Sequence, residues 1–193
     1  MNVPDLDRIR QWFPEYVAGF AEPDGSMHNT HLVKREHSLR VGTNSRAIAE
    51  GLGWMPSRSN AAEALGLLHD IGRFPQFQRY KTLVDGNSVN HGELGREIAA
   101  DSGLLSGTEP AERDAILCGI CNHNRRDLAT CAGPEALAFL KLIRDADKLD
   151  IMQTICELIR TGEFTRHPEL LLHVDPDGPP NPALIEEIST RHS

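Results

Sequence analysis

Apolar residues recur along the chain at intervals of three and four positions, which is the spacing of amphipathic helices. The spacing predicts helices over about 5–20, 30–52, 59–71, 90–102, 110–123 and 134–160, and a short one over about 183–188. Strand signals are scarce. The stretch 73–89 carries a proline, an Asp-Gly pair and several cations and aromatics, and it is predicted to be an irregular loop, of a length that is more often functional than idle. The pattern therefore predicts an all-α fold.

Short local signals place the ends of several of these helices. Asn60 and Glu63 have the spacing of a capping pair, and Gly72 is a natural C-terminal stop. Asn90 is predicted to be an N-cap, which puts His91 in the first turn of the following helix.

Length and composition favour one globular domain. The chain has 193 residues, of which 39% are hydrophobic and 25% charged. We expect a single domain over 1–193, with a core over about 30–160 and a proline-rich tail over 161–193 that wraps the surface. The net charge of -8 argues against broad nucleic-acid binding, although it leaves room for a small anionic substrate in a locally basic pocket.

The chain shows no signal-peptide pattern and no apolar run long enough to span a membrane, so we expect a cytoplasmic protein without a membrane partner. The four cysteines are too sparse for a secreted disulfide scaffold. Cys118 and Cys121 form a CxxC with His123 nearby, which is a weak zinc-site signal in a helical pattern without a second ligand pair. Small core thiols are the preferred interpretation of Cys118 and Cys121, and the other two cysteines are Cys131 and Cys156.

Ligand-type residues fall on helix faces that are otherwise apolar. His69 and Asp70 follow the run Ala64-Leu65-Gly66-Leu67-Leu68, and the pattern predicts that they lie on the same apolar helix. His37 is predicted to lie on the apolar side of the preceding helix. On the long helix, Asp147 shares the core-facing stripe, whereas Asp145 lies about 200° away and should face solvent. Buried imidazoles and carboxylates need a partner or a metal ion.

The order of these residues resembles that of the HD-domain superfamily of metal-dependent phosphohydrolases. The resemblance runs from about 37 to 150 and rests on an ordered set of motifs. These are His37, His69-Asp70-Ile71-Gly72-Arg73-Phe74, His91-Gly92-Glu93-Leu94-Gly95, Cys121-Asn122-His123-Asn124 and Asp147.

The resemblance implies a compact multi-helix bundle with a binuclear metal site. By this analogy, one ion is held by His37, His69, Asp70 and Asp147, and a second ion by Asp70, His91 and His123. Such donors suit divalent Mn, Fe, Co, Ni or Zn, with Mg also possible.

The expected activity is metal-dependent hydrolysis of a phosphate ester, with a nucleotide or another small phosphorylated anion as substrate. Asp70 and Lys148 are the candidate catalytic residues, since Asp70 can bridge two ions and Lys148 can orient the attacking water. Arg73, Arg79 and Arg144 are candidates for binding phosphate oxygens.

Two other functions remain open on the sequence alone. The same six ligands resemble those of diiron oxygenases related to myo-inositol oxygenase. A non-catalytic module that senses a nucleotide or a metal is the other possibility. The residues do not specify the substrate, the metal or the oligomeric state.

Overall fold

A computed structural model describes residues 1–128, 133–162 and 178–190 of the chain. Within these ranges the chain forms α-helices and one 3₁₀ turn, and no strand, which confirms the all-α prediction. The helices are α1 (Val3–Ala18), α2 (Asn29–Gly51), α3 (Pro56–Leu68), α4 (Arg73–Tyr80), α5 (His91–Asp101), α6 (Pro110–Asn122), α7 (Pro134–Thr161) and α8 (Pro182–Thr190). The 3₁₀ turn is Asp85–Asn87.

The main departure from the predicted elements follows the His-Asp pair, where the expected loop contains α4. Pro75 lies in the first turn of α4, where a backbone N–H has no intrahelical acceptor to lose. Phe74 and Phe77 are buried on one side of this helix, so its amphipathic face holds it against the bundle. The chain leaves α4 at Lys81, which adopts a left-handed conformation, and of the predicted loop only 81–89 lies outside an α-helix.

Helix α3 begins earlier than predicted, at Pro56, and the capping pair proposed for it is wrong. Asn60 and Glu63 lie inside the helix, where Glu63 forms ion pairs with Arg10 and Arg46. The N-cap position is held by Met55, without a side-chain hydrogen bond. By contrast, Asn90 does cap α5, because its side chain accepts from two backbone N–H groups of the first turn.

Helix α3 lies at the centre of the bundle and packs against α1, α2, α6 and α7. Each of its residues from Ser59 to Leu68 is buried. Small residues let its neighbours approach closely, and a Cβ added at Gly66 would lie 2.6 Å from the Cα of Gly42 in α2. This backbone contact brings the end of α3 beside the middle of α2, where His37 lies.

The turn between α3 and α4 contacts α1 on one side and the start of α5 on the other. The Tyr16 hydroxyl donates to the carbonyl of Ile71 at 2.9 Å. Gly72 is not the left-handed helix stop that was predicted, since it has an ordinary right-handed φ of -66°. It is required because a Cβ there would lie 2.2 Å from the carbonyl oxygen of His91 at the start of α5.

The C-terminal predictions are only partly covered. A helix does form where the short one was expected, as α8. The predicted surface wrap over 161–193 falls mostly outside the described residues, and the single-domain boundary stays a prediction. In the part of the chain that is described, no helix has both the length and the apolar character needed to cross a membrane.

Candidate metal centre

The six residues predicted to be metal ligands come together in one buried cluster. They arrive from five segments, and each is at most 4% exposed. They are His37 in α2, His69 and Asp70 in the turn after α3, His91 at the start of α5, His123 at the end of α6 and Asp147 in α7. Asp145 is exposed, as its place on the helix predicted.

The first half of the cluster joins α2, the α3–α4 turn and α7. Nε2 of His37 lies 3.2 Å from Oδ1 of Asp147, 3.2 Å from Nε2 of His69 and 3.6 Å from Oδ2 of Asp70. Nε2 of His69 lies 3.6 Å from the same Asp70 oxygen and 3.7 Å from Oδ1 of Asp147. Four side chains thus direct one donor atom each toward a common point.

The second half joins the same turn to α5 and α6. Nε2 of His91 lies 3.3 Å from Oδ1 of Asp70, and Nε2 of His123 lies 3.5 Å from it. The two imidazole nitrogens are 3.0 Å apart. Asp70 therefore presents Oδ2 to the first set of donors and Oδ1 to the second, which is the arrangement a bridging carboxylate needs.

These separations match those of donor atoms around a metal ion. Nitrogen and oxygen ligands about 2.0–2.2 Å from an ion lie roughly 3.0–3.6 Å from their neighbours in tetrahedral or octahedral geometry. His37, His69 and Asp70 form one buried group that could hold an ion, and Asp70, His91 and His123 form another. Asp147 lies at the same range from the first group.

The Nδ1 atoms of two imidazoles are tied to the helices that end there. His69 and His123 are the C-cap residues of α3 and α6. The Nδ1–H of His69 donates to the carbonyl of Gly66 at 2.7 Å, and that of His123 donates to the carbonyl of Ile120 at 2.8 Å. Each side chain satisfies a terminal carbonyl that has no partner within the helix.

The other two imidazoles are held by carboxylates. Nδ1 of His37 contacts Oδ2 of Asp150 at 2.6 Å, and Nδ1 of His91 contacts Oδ2 of Asp85 at 2.8 Å. Asp150 is fully buried and also pairs with Arg40, so it acts on His37 and does not face the donors directly. Asp85 was missed in the sequence because its Asp-Gly pair indicated only a turn.

With Nδ1 as the donor in all four rings, every Nε2 carries a lone pair. These lone pairs lie 3.0–3.7 Å from one another and from the Asp70 and Asp147 oxygens, with no imidazole hydrogen between them. Buried imidazole nitrogens without a donor are costly. A cation between them converts the repulsion into coordination, so the chemistry of the donor set fits a metal ion.

Electrostatics keep Asp70, Asp147 and His91 in the protonation states that metal binding requires. Burial raises the pKa of Asp70, but the charge of Lys34 and the neighbouring side chains outweigh it and hold the pKa well below its usual range. Burial also raises the pKa of Asp147, but the contacts with His37 and His69 outweigh it and lower the pKa. Burial lowers the pKa of His91 to about 4, so this imidazole is neutral at pH 7.

Two lysines contact the carboxylates at the edge of the cluster. Nζ of Lys148 lies 2.7 Å from Oδ2 of Asp147, and Nζ of Lys34 lies 2.7 Å from Oδ2 of Asp70. The Lys148 side chain is 58% exposed and that of Lys34 16%, so Lys34 reaches the cluster from a more enclosed position. Sequence reasoning missed Lys34, although it precedes His37 by three positions and so shares its helix face.

The three predicted phosphate-binding arginines have different surroundings. Nη1 of Arg73 donates to the carbonyl of Leu83 and to Asp85, so this cation holds the chain after α4. Arg144 donates to the carbonyl of Arg125. Arg79 is exposed near the end of α4, with its guanidinium 5.2 Å from the Tyr80 ring. Their substrate-binding role stays a prediction.

Cys118 and Cys121 are not the small core thiols that were expected. Cys118 is disulfide-bonded, Cys121 is partly buried and Cys156 is exposed. Cys131 lies outside the described residues. His123, the third member of the weak zinc signal, directs Nε2 toward Asp70.

A helical bundle that gathers four imidazoles and two carboxylates from five segments defines a class of all-α proteins with a buried His/Asp metal site. The chain belongs to the HD-domain family, whose model matches residues 35–152. Members of this family are generally metal-dependent hydrolases. Neither a comparison with curated proteins nor one with solved structures found a match.

Proposed function

We propose that this chain is a metal-dependent phosphohydrolase that uses two divalent ions to hydrolyse a small phosphate ester. A nucleotide or another small phosphorylated anion is the proposed substrate class. The observation that carries the proposal is the position of Asp70, whose two oxygens face two separate groups of imidazoles.

The proposed ligands are the six clustered residues, with Asp70 shared between the ions. Their mixture of imidazole nitrogen and carboxylate oxygen supports Mn, Fe, Co, Ni or Zn, with Mg less well matched to nitrogen donors. When bound, a pair of such ions polarises phosphoryl oxygens and lowers the pKa of a coordinated water toward 7.

The side chains around the ions have separate tasks in this proposal. Lys34 contacts the Asp70 oxygen that faces the first ion position, and Lys148 contacts the outer oxygen of Asp147, whose other oxygen faces the same position. Each ammonium therefore lies near a phosphate held there. A positive charge at that place stabilises the charge that develops on the phosphoryl oxygens. The more exposed Lys148 is also placed to orient a water at the mouth of the site. Asp150 keeps His37 in the tautomer that binds metal.

The local charge explains how an acidic chain can bind an anion. The net charge is -8 for the whole sequence, yet the cluster is bordered by Lys34, Lys148 and Arg73. Neutralisation of Asp70 and Asp147 by two divalent ions leaves these cations available to a phosphorylated ligand. This arrangement supports a small anion in a pocket rather than extended nucleic acid.

The test combines metal analysis with a substrate panel. Purified protein loaded with Mn²⁺ or Co²⁺ is expected to hydrolyse at least one of a set of phosphomonoesters, cyclic nucleotides and dinucleotides. Asp70→Ala should abolish both turnover and binding of two ions, as measured by mass spectrometry of the metal content. Asp145→Ala is the matched control, because this acid lies on the exposed side of the same helix as Asp147 and should change neither.

The same experiment separates the alternatives. Two tightly held irons and oxygen consumption with an organic substrate would identify an oxygenase instead. Recovery of every phosphorylated compound unchanged from the metal-loaded protein would identify a binding module. Hydrolysis that survives Asp70→Ala would exclude the proposed centre.

A further inference from the structure

Each half of the cluster contains one imidazole held by a helix carbonyl and one held by a carboxylate. In the first half these are His69 and His37, and in the second half they are His123 and His91. In each half, therefore, one histidine directs Nε2 toward the proposed ion while a carboxylate outside the cluster contacts its Nδ1 and sets its tautomer.

The two controlling carboxylates are each paired with an arginine. Asp150 accepts from Arg40 through Nε and Nη2 while it contacts His37. Asp85 accepts from Nη1 of Arg73 at 3.1 Å while it contacts His91. An Arg–Asp–His chain therefore leads into each half of the cluster.

Asp85 is the better-connected of the two carboxylates. Its Oδ1 also accepts from Nε2 of Gln76 at 2.9 Å, and its Oδ2 accepts from Nδ2 of Asn124 at 2.9 Å. Donors from α4, from α5 and from the end of α6 thus meet on one side chain. This convergence fixes the carboxylate relative to His91 although the surrounding chain is irregular.

The two carboxylates differ in the element that carries them and in their exposure. Asp150 lies in the middle of α7, and its side chain is fully buried. Asp85 lies in the 3₁₀ turn between α4 and α5, and its side chain is 29% exposed. Short exposed turns open at a lower free-energy cost than buried helices.

We propose that Asp85 is a positioning residue for the second ion, and that the turn Asp85–Asn87 sets the affinity for that ion independently of the first. The inference rests on the two-ion centre of the proposed function. A carboxylate on Nδ1 fixes the histidine tautomer and raises the basicity of Nε2, and loss of such a partner typically weakens metal binding about 10- to 100-fold. Because Asp85 contacts His91 and no donor of the first half, its effect is confined to one ion.

The experiment is a calorimetric Mn²⁺ titration of the chelator-treated full chain without any substrate. In Asp85→Asn we expect the second binding step to weaken about 10- to 100-fold and the first to stay within about twofold. Asp150→Asn is the matched variant and should weaken the first step. The second step is identified as the one that disappears in His123→Gln, and adding Asp85→Asn to that variant should leave the remaining step unchanged.

A control separates positioning from damage to the turn. Ser88→Ala removes the hydroxyl that accepts from Gln76 and donates to Val84, but it leaves the Asp85–His91 contact in place. This variant should bind both ions as the unaltered chain does. Equal weakening of both steps in Asp85→Asn, or no change in either, would overturn the proposal.

The titration also distinguishes this inference from the proposed activity. Two ions bound with unchanged affinities in Asp85→Asn would remove the role of Asp85 and leave the phosphohydrolase intact. A single ion bound by the unaltered chain would overturn both this inference and the two-ion centre.

Discussion

The ammonium nitrogen of Lys34 lies 2.7 Å from Oδ2 of Asp70, the oxygen that faces His37 and His69. This contact places a cation against the first half of the cluster from α2, one turn before His37. In the proposed reaction Lys34 is therefore the enclosed partner for a phosphate oxygen, and Lys148 is the exposed one.

Replacing Lys34 should impair turnover without impairing metal binding. A hydrogen bond to a charged group contributes about 1.5–3 kcal/mol, so Lys34→Met should lower kcat/KM for the phosphate ester roughly 10- to 100-fold. Metal affinity should hold or rise, because the substitution removes a positive charge beside the ions. Steady-state kinetics and metal titration measure the two effects. Lys141→Met, at an exposed position of α7, is the control, and a kcat/KM within twofold of the original would refute the role of Lys34.

Divalent ions should stabilise the folded chain. A ligand that binds only the native state adds about 2.7 kcal/mol to the free energy of unfolding at 100 times its Kd. Calorimetry with excess Mn²⁺ should therefore show a higher Tm, and a chelator should reverse it. Asp147→Asn should reduce this response and Asp145→Asn should keep it. An equal response in both variants would mean that the ion binds elsewhere.

The chelator-treated protein should lose stability as the pH falls from about 6.5 to 4. Burial lowers the pKa of His91 to about 4 in the folded state, whereas the unfolded chain protonates it near 6.5. Between these values the unfolded state binds more protons, so stability rises with pH, by about 3 kcal/mol across the window. Burial also lowers the pKa of His31, which adds to the slope in the same direction. Urea unfolding at a series of pH values should show the slope, and His91→Gln should reduce it.

A second loss of stability is expected at lower pH. Although burial raises the pKa of Asp150, its hydrogen bonds with His37 and Arg40 lower the net value to about 2. This carboxylate contributes stability that is present above its unfolded pKa of about 3.9 and is lost as the pH falls toward 2. Unfolding of Asp150→Asn should lack this contribution. If Asp150→Asn lost as much stability as the original chain when the pH falls toward 2, the Asp150 pair would not stabilise the fold.

Adding a methyl group at Gly72 should disrupt both the fold and the metal centre. A Cβ there would lie 2.2 Å from the carbonyl oxygen of His91 and 2.8 Å from the backbone nitrogen of Gly95, and neither can rotate away. We expect Gly72→Ala to lower the free energy of unfolding by about 2–3 kcal/mol. Metal content should fall too, because α5 must move away from Asp70.

Gly86→Ala is the control for this substitution. A Cβ at Gly86 has nothing within 4 Å, so thermal unfolding should change little. If Gly72→Ala kept the original Tm and metal content, the backbone of α5 would be able to move away from the added methyl group without loss of stability.

Parts of the architecture could be predicted because they depend on local spacing. The core-facing position of Asp147 followed from helix periodicity, as did the exposure of Asp145. The same periodicity placed His69 and Asp70 on a helix, whereas they lie just beyond its last residue, in the turn before α4. The error arose because Gly72 was interpreted as a stop, when the chain needs it for contact with His91.

The sequence by itself determined which residues are able to bind metal and that the chain is helical, because ligand chemistry and helical periodicity are properties of residue types and their spacing. Only the tertiary structure decided that one oxygen of Asp70 faces each group of imidazoles. It also decided that Lys34 and Asp85 join the site, because their partners lie on other elements. Such contacts depend on how the helices approach one another, which spacing along a single element does not specify.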